Sequence, residues 1–238
     1  MTLRVASYNV RALQDDVAAL ARTVRAIDPD VLCLQEVPWI GPVDHRIADF
    51  ARRCGLVWSG RDQRAGQTSV LTHLRTNVVS VTHHRLPYRT RRDRRGFAVT
   101  RVAPFGRTAV SVASVHLGLD GDERLEHARE IMAHLAAQPG PALLAGDLNE
   151  QDDGAAWQLF GGAMRPVSPL EPTFPSGRPE HVLDVVFATP DVRVLPHRDV
   201  PWVAEDLTAG TDHRPVWVDV ETAPLTRPLT GPPVTVSG

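Results

Sequence analysis

The chain has 238 residues, of which 26 are basic and 28 acidic, giving a formal net charge of −2. A chain of this length buries roughly 70–75% of its unfolded surface, which is enough for a substantial core in one domain. All 26 basic residues are arginine, and this excludes sites built on a lysine, including the phosphate-binding P-loop, Schiff-base enzymes and protein kinases. The near-neutral charge gives no general attraction to polyanions, so any affinity for nucleic acid must come from a local basic patch.

Cysteine use and hydropathy indicate an intracellular protein. The two cysteines, Cys33 and Cys54, make neither a disulfide framework nor a zinc site, and we expect both to be reduced thiols that serve as small apolar side chains. The chain has no apolar stretch approaching about 18 residues, and a strand-like segment at 3–9 leaves no room for a secretory signal. We therefore expect a cytoplasmic protein with no membrane span, and we take a monomer as the default.

Strands and helices alternate in the first part of the chain. The predicted elements are a strand at Leu3–Asn9, a helix at about 18–27, a short apolar strand at 31–34, a helix from Val43 to about Cys54 ended by Gly55, and strands near 69–72 and 78–82. The strand at 31–34 is continuously apolar, which is typical of a strand buried on both faces.

Hairpins and further strands follow. The predicted elements are strands at 97–102 and 108–116 joined by a hairpin-length turn, a helix at 122–137, a strand at 142–145, and strands at 182–188, near 192–194 and at 215–220. This order favours an α/β sandwich with mixed sheets over a purely parallel sheet. We assign residues 1–222 to one domain and expect the Pro-rich segment 223–238 to be a disordered or loosely appended tail.

Polar side chains recur immediately after apolar strands. They are Asn9, Gln35-Glu36, His116 and Asp147-Leu148-Asn149. Side chains at strand ends in α/β folds converge on one crevice. Carboxylates and carboxamides are hard oxygen ligands suited to Mg²⁺ or Mn²⁺, and histidine transfers protons near neutral pH. The pattern indicates a metal-dependent active site.

One carboxylate lies inside an otherwise apolar strand, at Asp184. Burying it costs several kcal/mol unless something pairs with it. One explanation is a salt bridge in the core. The other, which we prefer, is that Asp184 accepts a hydrogen bond from His213 and so fixes the orientation of that ring for acid–base catalysis.

Six short motifs occur in a fixed order along residues 3 to about 220. They are Ser-Tyr-Asn-Val at 7–10, Leu-Gln-Glu-Val at 34–37, Ser-Val-His-Leu at 114–117, Gly-Asp-Leu-Asn at 146–149, Leu-Asp-Val-Val-Phe at 183–187 and Thr-Asp-His-Arg-Pro at 211–215. In this order they resemble the motifs of the endonuclease/exonuclease/phosphatase superfamily, which includes pancreatic deoxyribonuclease and exonuclease III. The resemblance implies an α/β fold of the α+β type, a four-layer α/β/β/α sandwich of two mixed β-sheets flanked by helices.

The resemblance also implies roles for the matching residues. Glu36 would be the main ligand of one Mg²⁺ or Mn²⁺ ion, with Asn9 and Asp212 near the same ion, directly or through water. Asp147 and Asn149 would position the attacking water and the scissile phosphate, and Asp147 is one candidate for the general base.

The histidines complete the implied site. His213, held by Asp184, would be the other candidate base or the group that stabilises charge on the phosphorane. His116 would contact the phosphate or protonate the leaving oxygen. The carboxylate that orients the corresponding histidine in pancreatic deoxyribonuclease has no clear counterpart in this sequence.

An arginine-rich run follows His83. It comprises Arg85, Arg89, Arg91, Arg92, Arg94, Arg95 and Arg101, opposed by Asp93 alone. Such a run is either a solvated loop or an arm that binds a polyanion near the active site. We assign Arg11 and Arg95 as candidate ligands of the substrate phosphate.

These features predict a metal-dependent phosphoesterase that hydrolyses phosphodiesters by in-line attack of water, with nucleic acid as the expected substrate and a nuclease as the expected activity. One alternative is a phosphomonoesterase, or a phospholipid or inositol-phosphate hydrolase, using the same site. An alternative of another class is a catalytically silent binding or scaffold protein. The presence of all the reactive side chains of the motifs argues against this alternative.

Overall fold

The computed structural model describes residues 2–60, 65–89 and 94–225. Its strands and helices in chain order are β1 Leu3–Asn9, α1 Val17–Ile27, β2 Val31–Gln35, α2 Val43–Cys54, β3 Val57–Trp58, β4 Ser69–Thr72, β5 Val78–Arg85, β6 Gly96–Val102, β7 Val110–His116, α3 Gly121–Ala136, β8 Ala142–Asp147, α4 Ala155–Gly161, β9 Arg165–Pro166, β10 Asp184–Ala188, β11 Arg193–Val194, α5 Ala204–Gly210 and β12 Val216–Glu221. A 3₁₀ turn at Arg11–Leu13 follows β1.

The strands form two six-stranded mixed sheets. The first sheet has the order β11-β12-β1-β2-β4-β3 and the second has the order β5-β6-β7-β8-β10-β9. In the first sheet β1 pairs parallel with β2 and antiparallel with β12. In the second sheet β8 pairs parallel with β7 and antiparallel with β10. The last residues of β1 and β8, Asn9 and Asp147, are hydrogen-bonded to each other, so these central strands end at the same edge of the sandwich.

Apolar side chains form successive buried layers. One cluster joins α1 and α2 to the outer face of the first sheet, through residues such as Leu20, Phe50 and Tyr8. A second lies between the two sheets, and a third joins α3 and α4 to the outer face of the second sheet. The layers are thus helix, sheet, sheet and helix, which confirms the predicted four-layer α/β/β/α sandwich.

Helix ends follow ordinary capping chemistry. Asp16 precedes α1 and accepts hydrogen bonds from the backbone N–H groups of Ala18 and Ala19, and Asp120 does the same for Glu123 in α3. Gly55 ends α2 with a φ of 75°, a left-handed conformation that glycine adopts without steric cost. These caps explain why the predicted bounds of the long helices are close to the observed ones.

The short elements were not predicted from the sequence. Helices α4 and α5 have seven residues each, too few for a clear helical period, and their formation depends on tertiary packing of residues such as Trp157 and Leu207. Strands β3 and β9 have two residues each. Cys33 and Cys54 are buried free thiols, as expected.

The chain continues in an ordered way slightly past the predicted domain boundary. Pro224 forms a β-bridge with Arg107, and the backbone N–H of Leu225 donates to the carbonyl of Gly106. The expectation of disorder for the rest of the tail, residues 226–238, lies outside the described residues. Within the described ranges, no helix combines the length and apolar character needed to cross a membrane.

Gly146 provides a test of the packing between β7 and β8. A Cβ atom at this position would overlap the carbonyl oxygen of Val115 on the neighbouring strand. We expect Gly146→Ala to lower the free energy of unfolding by about 1–3 kcal/mol or more, measured by urea denaturation. Gly161→Ala is the matched control, because its Cβ would meet nothing within 4 Å. An unchanged midpoint for Gly146→Ala would contradict the close contact of these strands.

Candidate active site

The first sheet supplies an amide and a carboxylate. Asn9 is the last residue of β1 and is paired with Gln35, the last residue of the parallel strand β2. Glu36 follows directly, with a φ of 50°. A left-handed backbone is unusual for a glutamate and costs about 1–2 kcal/mol. It turns the Glu36 side chain towards Asn9, whose Nδ2 donates to Glu36 Oε1 at 3.0 Å.

The second sheet supplies three neighbouring polar residues. His116 ends β7 and is in register with Asp147, which ends β8. Asp184 begins β10 and is in register with Asp147 from the other side. Asp147 therefore lies between His116 and Asp184 at the edge of this sheet.

The two halves of the site meet at Asp147. Asn9 Nδ2 donates to Asp147 Oδ2 at 3.0 Å, across the gap between the sheets. The same Oδ2 lies 3.5 Å from His116 Nε2 and 3.7 Å from His213 Nε2. Asn9, Asp147, His116 and His213 thus converge on one point, although they come from four distant parts of the chain.

His213 is held by Asp184, which is the arrangement that we preferred from the sequence. The two residues are buried, and His213 Nδ1 lies 2.8 Å from Asp184 Oδ2. Burial alone would lower the pKa of His213, but the adjacent Asp184 carboxylate raises it to about 9. His213 is therefore an imidazolium at neutral pH, and its Nδ1–H donates to Asp184. Among the described residues the only ion-pair partner of Asp184 is His213, so the alternative of a separate core salt bridge is not what the structure shows.

Asp147 has an unusual protonation equilibrium. Burial and the nearby Asp184 carboxylate raise its pKa to about 7, against the opposing effect of His213 and of the hydrogen bonds from Asn149 and Asn9. A carboxyl group with a pKa near 7 is well matched to proton transfer at neutral pH.

His116 is contacted by an arginine. Arg95 is buried, with 8% of its surface exposed, and its Nη1 lies 3.0 Å from His116 Nδ1. Because a guanidinium can only donate, Nδ1 is the acceptor and the neutral ring carries its proton on Nε2. Burial, and then the Arg95 charge, lower the pKa of His116 well below its ordinary value. An arginine thus orients this histidine, where the resemblance leads one to look for a carboxylate.

Asn149 completes the loop after β8. Its φ of 49° is left-handed, a conformation that asparagine tolerates better than most residues. Its backbone N–H donates to Asp147 Oδ1 at 2.9 Å, and its Nδ2 donates to the Leu117 carbonyl at 3.0 Å and lies 3.1 Å from His116 Nε2. Asn149 therefore fixes Asp147 while its amide faces the same point as His116.

The acidic groups of the site can hold a divalent cation. Ligand atoms of Glu36, His116 and Asp147 all lie within 4.8 Å of one another. The His116 nitrogens are not suited to bind the cation, since Nδ1 accepts from Arg95 and Nε2 is protonated. The oxygens of Glu36, Asn9 and Asp147 remain, and these hard donors suit Mg²⁺ or Mn²⁺.

Asp212 and Arg11 lie beside this centre and contact each other. Arg11 Nε is 3.4 Å from Asp212 Oδ2, and Arg11 Nη1 is 3.3 Å from Asp15. Asp212 does not join the group of Glu36, His116 and Asp147. Arg11, half exposed, opens the 3₁₀ turn at the rim, whose residues all have positive φ values. Arg46 donates from Nη2 to the carbonyl oxygens of Ala12 and Leu13 and so stabilises this strained turn.

Several positioning contacts were not predicted from the sequence, although Gln35 is among the polar residues that follow predicted strands. Gln35 is buried and links the two sheets, because its Nε2 donates to Ser114 Oγ at 3.4 Å while Ser114 Oγ donates to the Leu34 carbonyl at 3.0 Å. Thr173 Oγ1 accepts from the Asp184 backbone N–H at 3.2 Å, and Thr211 Oγ1 donates to the Asn9 carbonyl at 3.0 Å. The sequence feature that could have identified Gln35 and Thr211 is that each directly precedes a charged residue of a motif.

The arginine-rich run has no single role. Arg89 forms an ion pair with Asp120 at 3.0 Å, and Arg101 donates to the Pro139 carbonyl at 2.6 Å. Arg95 is buried against His116, whereas Arg85 and Arg94 are exposed. Arg91 and Arg92 lie outside the described residues.

Comparison with known proteins gives a consistent result. A family model described as "Endonuclease/Exonuclease/phosphatase family" matches residues 6–213. A search of curated proteins finds no match.

Solved structures share the fold. An endonuclease/exonuclease/phosphatase from Bacteroides vulgatus superposes with a TM-score of 0.76 at 17% identity, covering 93% of this chain and 99% of that one. One from Beutenbergia cavernae gives a TM-score of 0.72 at 22% identity, covering 93% and 72%. A mannosyl-6-phosphatase from Bacteroides thetaiotaomicron gives a TM-score of 0.69 at 18% identity, covering 92% and 99%.

Proposed function

Because this chain belongs to the endonuclease/exonuclease/phosphatase family, whose members are phosphoester hydrolases, we propose that it hydrolyses phosphodiester bonds of nucleic acid by in-line attack of water. The observation that carries this proposal is the convergence on Asp147 Oδ2 of Asn9, His116 and the His213–Asp184 pair. A phosphodiester is an anion, so its hydrolysis requires charge stabilisation and a well-placed water, and this arrangement offers both.

Glu36 is the proposed anionic ligand of a divalent cation, with the Asn9 amide beside it at 3.0 Å. When bound, such a cation acts as a Lewis acid that stabilises charge on the phosphate oxygens. Asp147 is the proposed base. Its pKa of about 7 allows the carboxylate to accept the proton of the attacking water, and Asn149 holds it in position.

His213 is better suited to stabilise charge than to take a proton. With a pKa raised to about 9 by Asp184, it is cationic at neutral pH and donates from Nε2 towards the reaction centre. His116, neutral and held by Arg95, offers its Nε2–H as a hydrogen-bond donor to a phosphate oxygen. We therefore assign His116 to binding the phosphate and do not assign it as the general acid.

The test is a substrate panel assayed with Mg²⁺ or Mn²⁺. Single-stranded DNA, plasmid DNA, RNA, a hexose 6-phosphate, a phospholipid and inositol phosphates are incubated with the enzyme and with its Asp147→Asn variant as the control for contaminating hydrolases. We expect products from a nucleic acid, and we expect chelation by EDTA to lower that rate by about 100-fold or more, since the cation supplies several kcal/mol. Products from the other substrates alone would contradict the proposal.

A phosphomonoesterase activity is the second candidate, and the similarity in fold to the Bacteroides thetaiotaomicron mannosyl-6-phosphatase favours it. The hexose 6-phosphate in the panel distinguishes the two, because a phosphomonoesterase releases inorganic phosphate from it. A silent scaffold would hydrolyse nothing in the panel.

A further inference from the structure

A small cationic cavity lies at the base of the hairpin between β5 and β6. It has a volume of about 250 Å³ and is lined by Arg85, Tyr88, Arg94 and Arg95. This volume is below the range of about 300–1,000 Å³ that is usual for drug-sized ligands, and it suits a small group. Its described lining therefore carries three guanidinium groups and one phenol, and no carboxylate is among these four residues.

Two of these arginines have no anionic partner among the described residues. Neither Arg85 nor Arg94 makes an ion pair or a side-chain hydrogen bond to any residue in the described part of the chain, whereas the neighbouring Arg89 is paired with Asp120 at 3.0 Å. Guanidinium groups that share a cavity repel one another. Arginine is also the side chain best suited to bind a phosphate through two parallel hydrogen bonds.

The walls of the cavity are held by buried backbone contacts. Leu86 is fully buried, and its N–H donates to the Arg95 carbonyl at 3.1 Å. Gly66 bridges to Arg95, and a Cβ atom on Gly66 would lie 2.7 Å from the Arg94 carbonyl oxygen. His127 Nε2 lies 2.6 Å from the Pro87 carbonyl. These contacts fix the backbone on both sides of the cavity, while the Arg85 and Arg94 side chains are exposed.

Arg95 joins this cavity to the active site, because its Nη1 lies 3.0 Å from His116 Nδ1. A group bound in the cavity would be next to a phosphate held by His116, with one arginine between them. We propose that the cavity binds a second phosphate of the substrate strand, next to the scissile one. This inference rests on the proposed function, and it predicts a preference for substrates with at least two phosphates.

The first test compares dinucleotides that differ by one phosphate. A thymidine dinucleotide with its single phosphodiester is compared with the same dinucleotide carrying an added 5′- or 3′-phosphate. We expect one of the added phosphates to raise kcat/KM about tenfold, which is the effect of one charge-assisted hydrogen bond. We expect the double variant Arg85→Gln/Arg94→Gln to abolish most of that gain. The control Arg52→Gln/Arg129→Gln removes the same charge from exposed positions on α2 and α3 and should keep the gain. A gain that survives in Arg85→Gln/Arg94→Gln overturns the proposal.

The second test does not require turnover. Binding of a fluorescein-labelled single-stranded oligodeoxynucleotide is measured in EDTA as a function of salt. The measured quantity is the slope of the logarithm of the binding constant against the logarithm of the salt concentration. Loss of one phosphate contact should reduce the magnitude of this slope in Arg85→Gln/Arg94→Gln by about 0.7 relative to the control Arg52→Gln/Arg129→Gln. A reduced slope without hydrolysis of any nucleic acid in the substrate panel supports the cavity and contradicts the proposed function. Hydrolysis with an unchanged slope and an unchanged phosphate gain supports the function and overturns the cavity proposal.

Discussion

Replacing Asp147 with asparagine is expected to lower turnover by about 100-fold or more, while making the metal-free protein more stable at high pH relative to low pH. The loss of activity follows from the position of Asp147 Oδ2, which is within 3.0 Å of Asn9 and faces both site histidines. Asparagine keeps the shape of the side chain but cannot accept a proton from water.

The gain in stability follows from the raised pKa of Asp147. In the folded chain this carboxyl has a pKa of about 7, against an ordinary value of 3.8. The unfolded chain therefore loses this proton at a lower pH than the folded chain, and ionisation costs stability as pH rises from about 4 through about 7. Asparagine removes that cost but replaces one accepting oxygen with an amide N–H that faces a donor, Asn9 or Asn149. The loss of this hydrogen bond is the same at every pH, so the variant should gain stability relative to the native protein between pH 4 and pH 8.

Thermal unfolding in EDTA measures this effect. We expect the Tm of the variant minus that of the native protein to rise between pH 4 and pH 8, by about 2–4 °C for each kcal/mol recovered. Asp152→Asn is the matched control, because Asp152 is exposed on the same loop, and it should change neither Tm nor turnover. Turnover of Asp147→Asn within about tenfold of the native enzyme would contradict the assignment of this residue.

Removal of the His213 imidazole is the second substitution with a large expected effect. His213→Ala should lower kcat by about 100-fold or more, because the site loses the cation that faces the reaction centre. The partner substitution Asp184→Asn should give a smaller loss, since the ring remains but its Nδ1–H no longer donates to a carboxylate at 2.8 Å.

The pH dependence identifies what His213 does. Its pKa is raised to about 9 by Asp184, so if the imidazolium is the active form, kcat at saturating metal falls as pH rises through about 9. Asp184→Asn removes the charge that raises this pKa, and the fall should move to lower pH. His45→Ala, at an exposed position on α2, should leave the profile unchanged. A rate that increases through pH 9 would instead identify neutral His213 as the general base.

Strand ends could be predicted from the sequence because each is a local pattern. A run such as Ala142–Ala145 followed by Asp147 and Asn149 carries its own signal, and the observed strand ends are within a few residues of the predicted ones. The strand-end pattern predicted that Asn9 and Asp147 share one crevice, but their direct contact was not predicted, because no local pattern encodes the packing of one sheet on another.

The environment of Arg95 could not be predicted. In the sequence it is one arginine among several in an apparent surface loop. The register of β5 with β6 and the close approach of Gly66 turn it inward against His116. The left-handed backbone conformation of Glu36 and Asn149 could not be predicted from the sequence either, because neither residue type requires a positive φ.

The reaction centre is divided between two sheets whose facing surfaces are joined mainly by apolar contacts. An inactive state of this enzyme would therefore need no unfolding. Since a misplacement of about 1 Å between catalytic groups can cost about 100-fold in rate, a small change in the packing of the sheets should be enough to lower activity. Hydrostatic pressure acts on such interior packing. Moderate pressure should therefore reversibly lower the rate of hydrolysis while the far-UV circular dichroism spectrum stays unchanged.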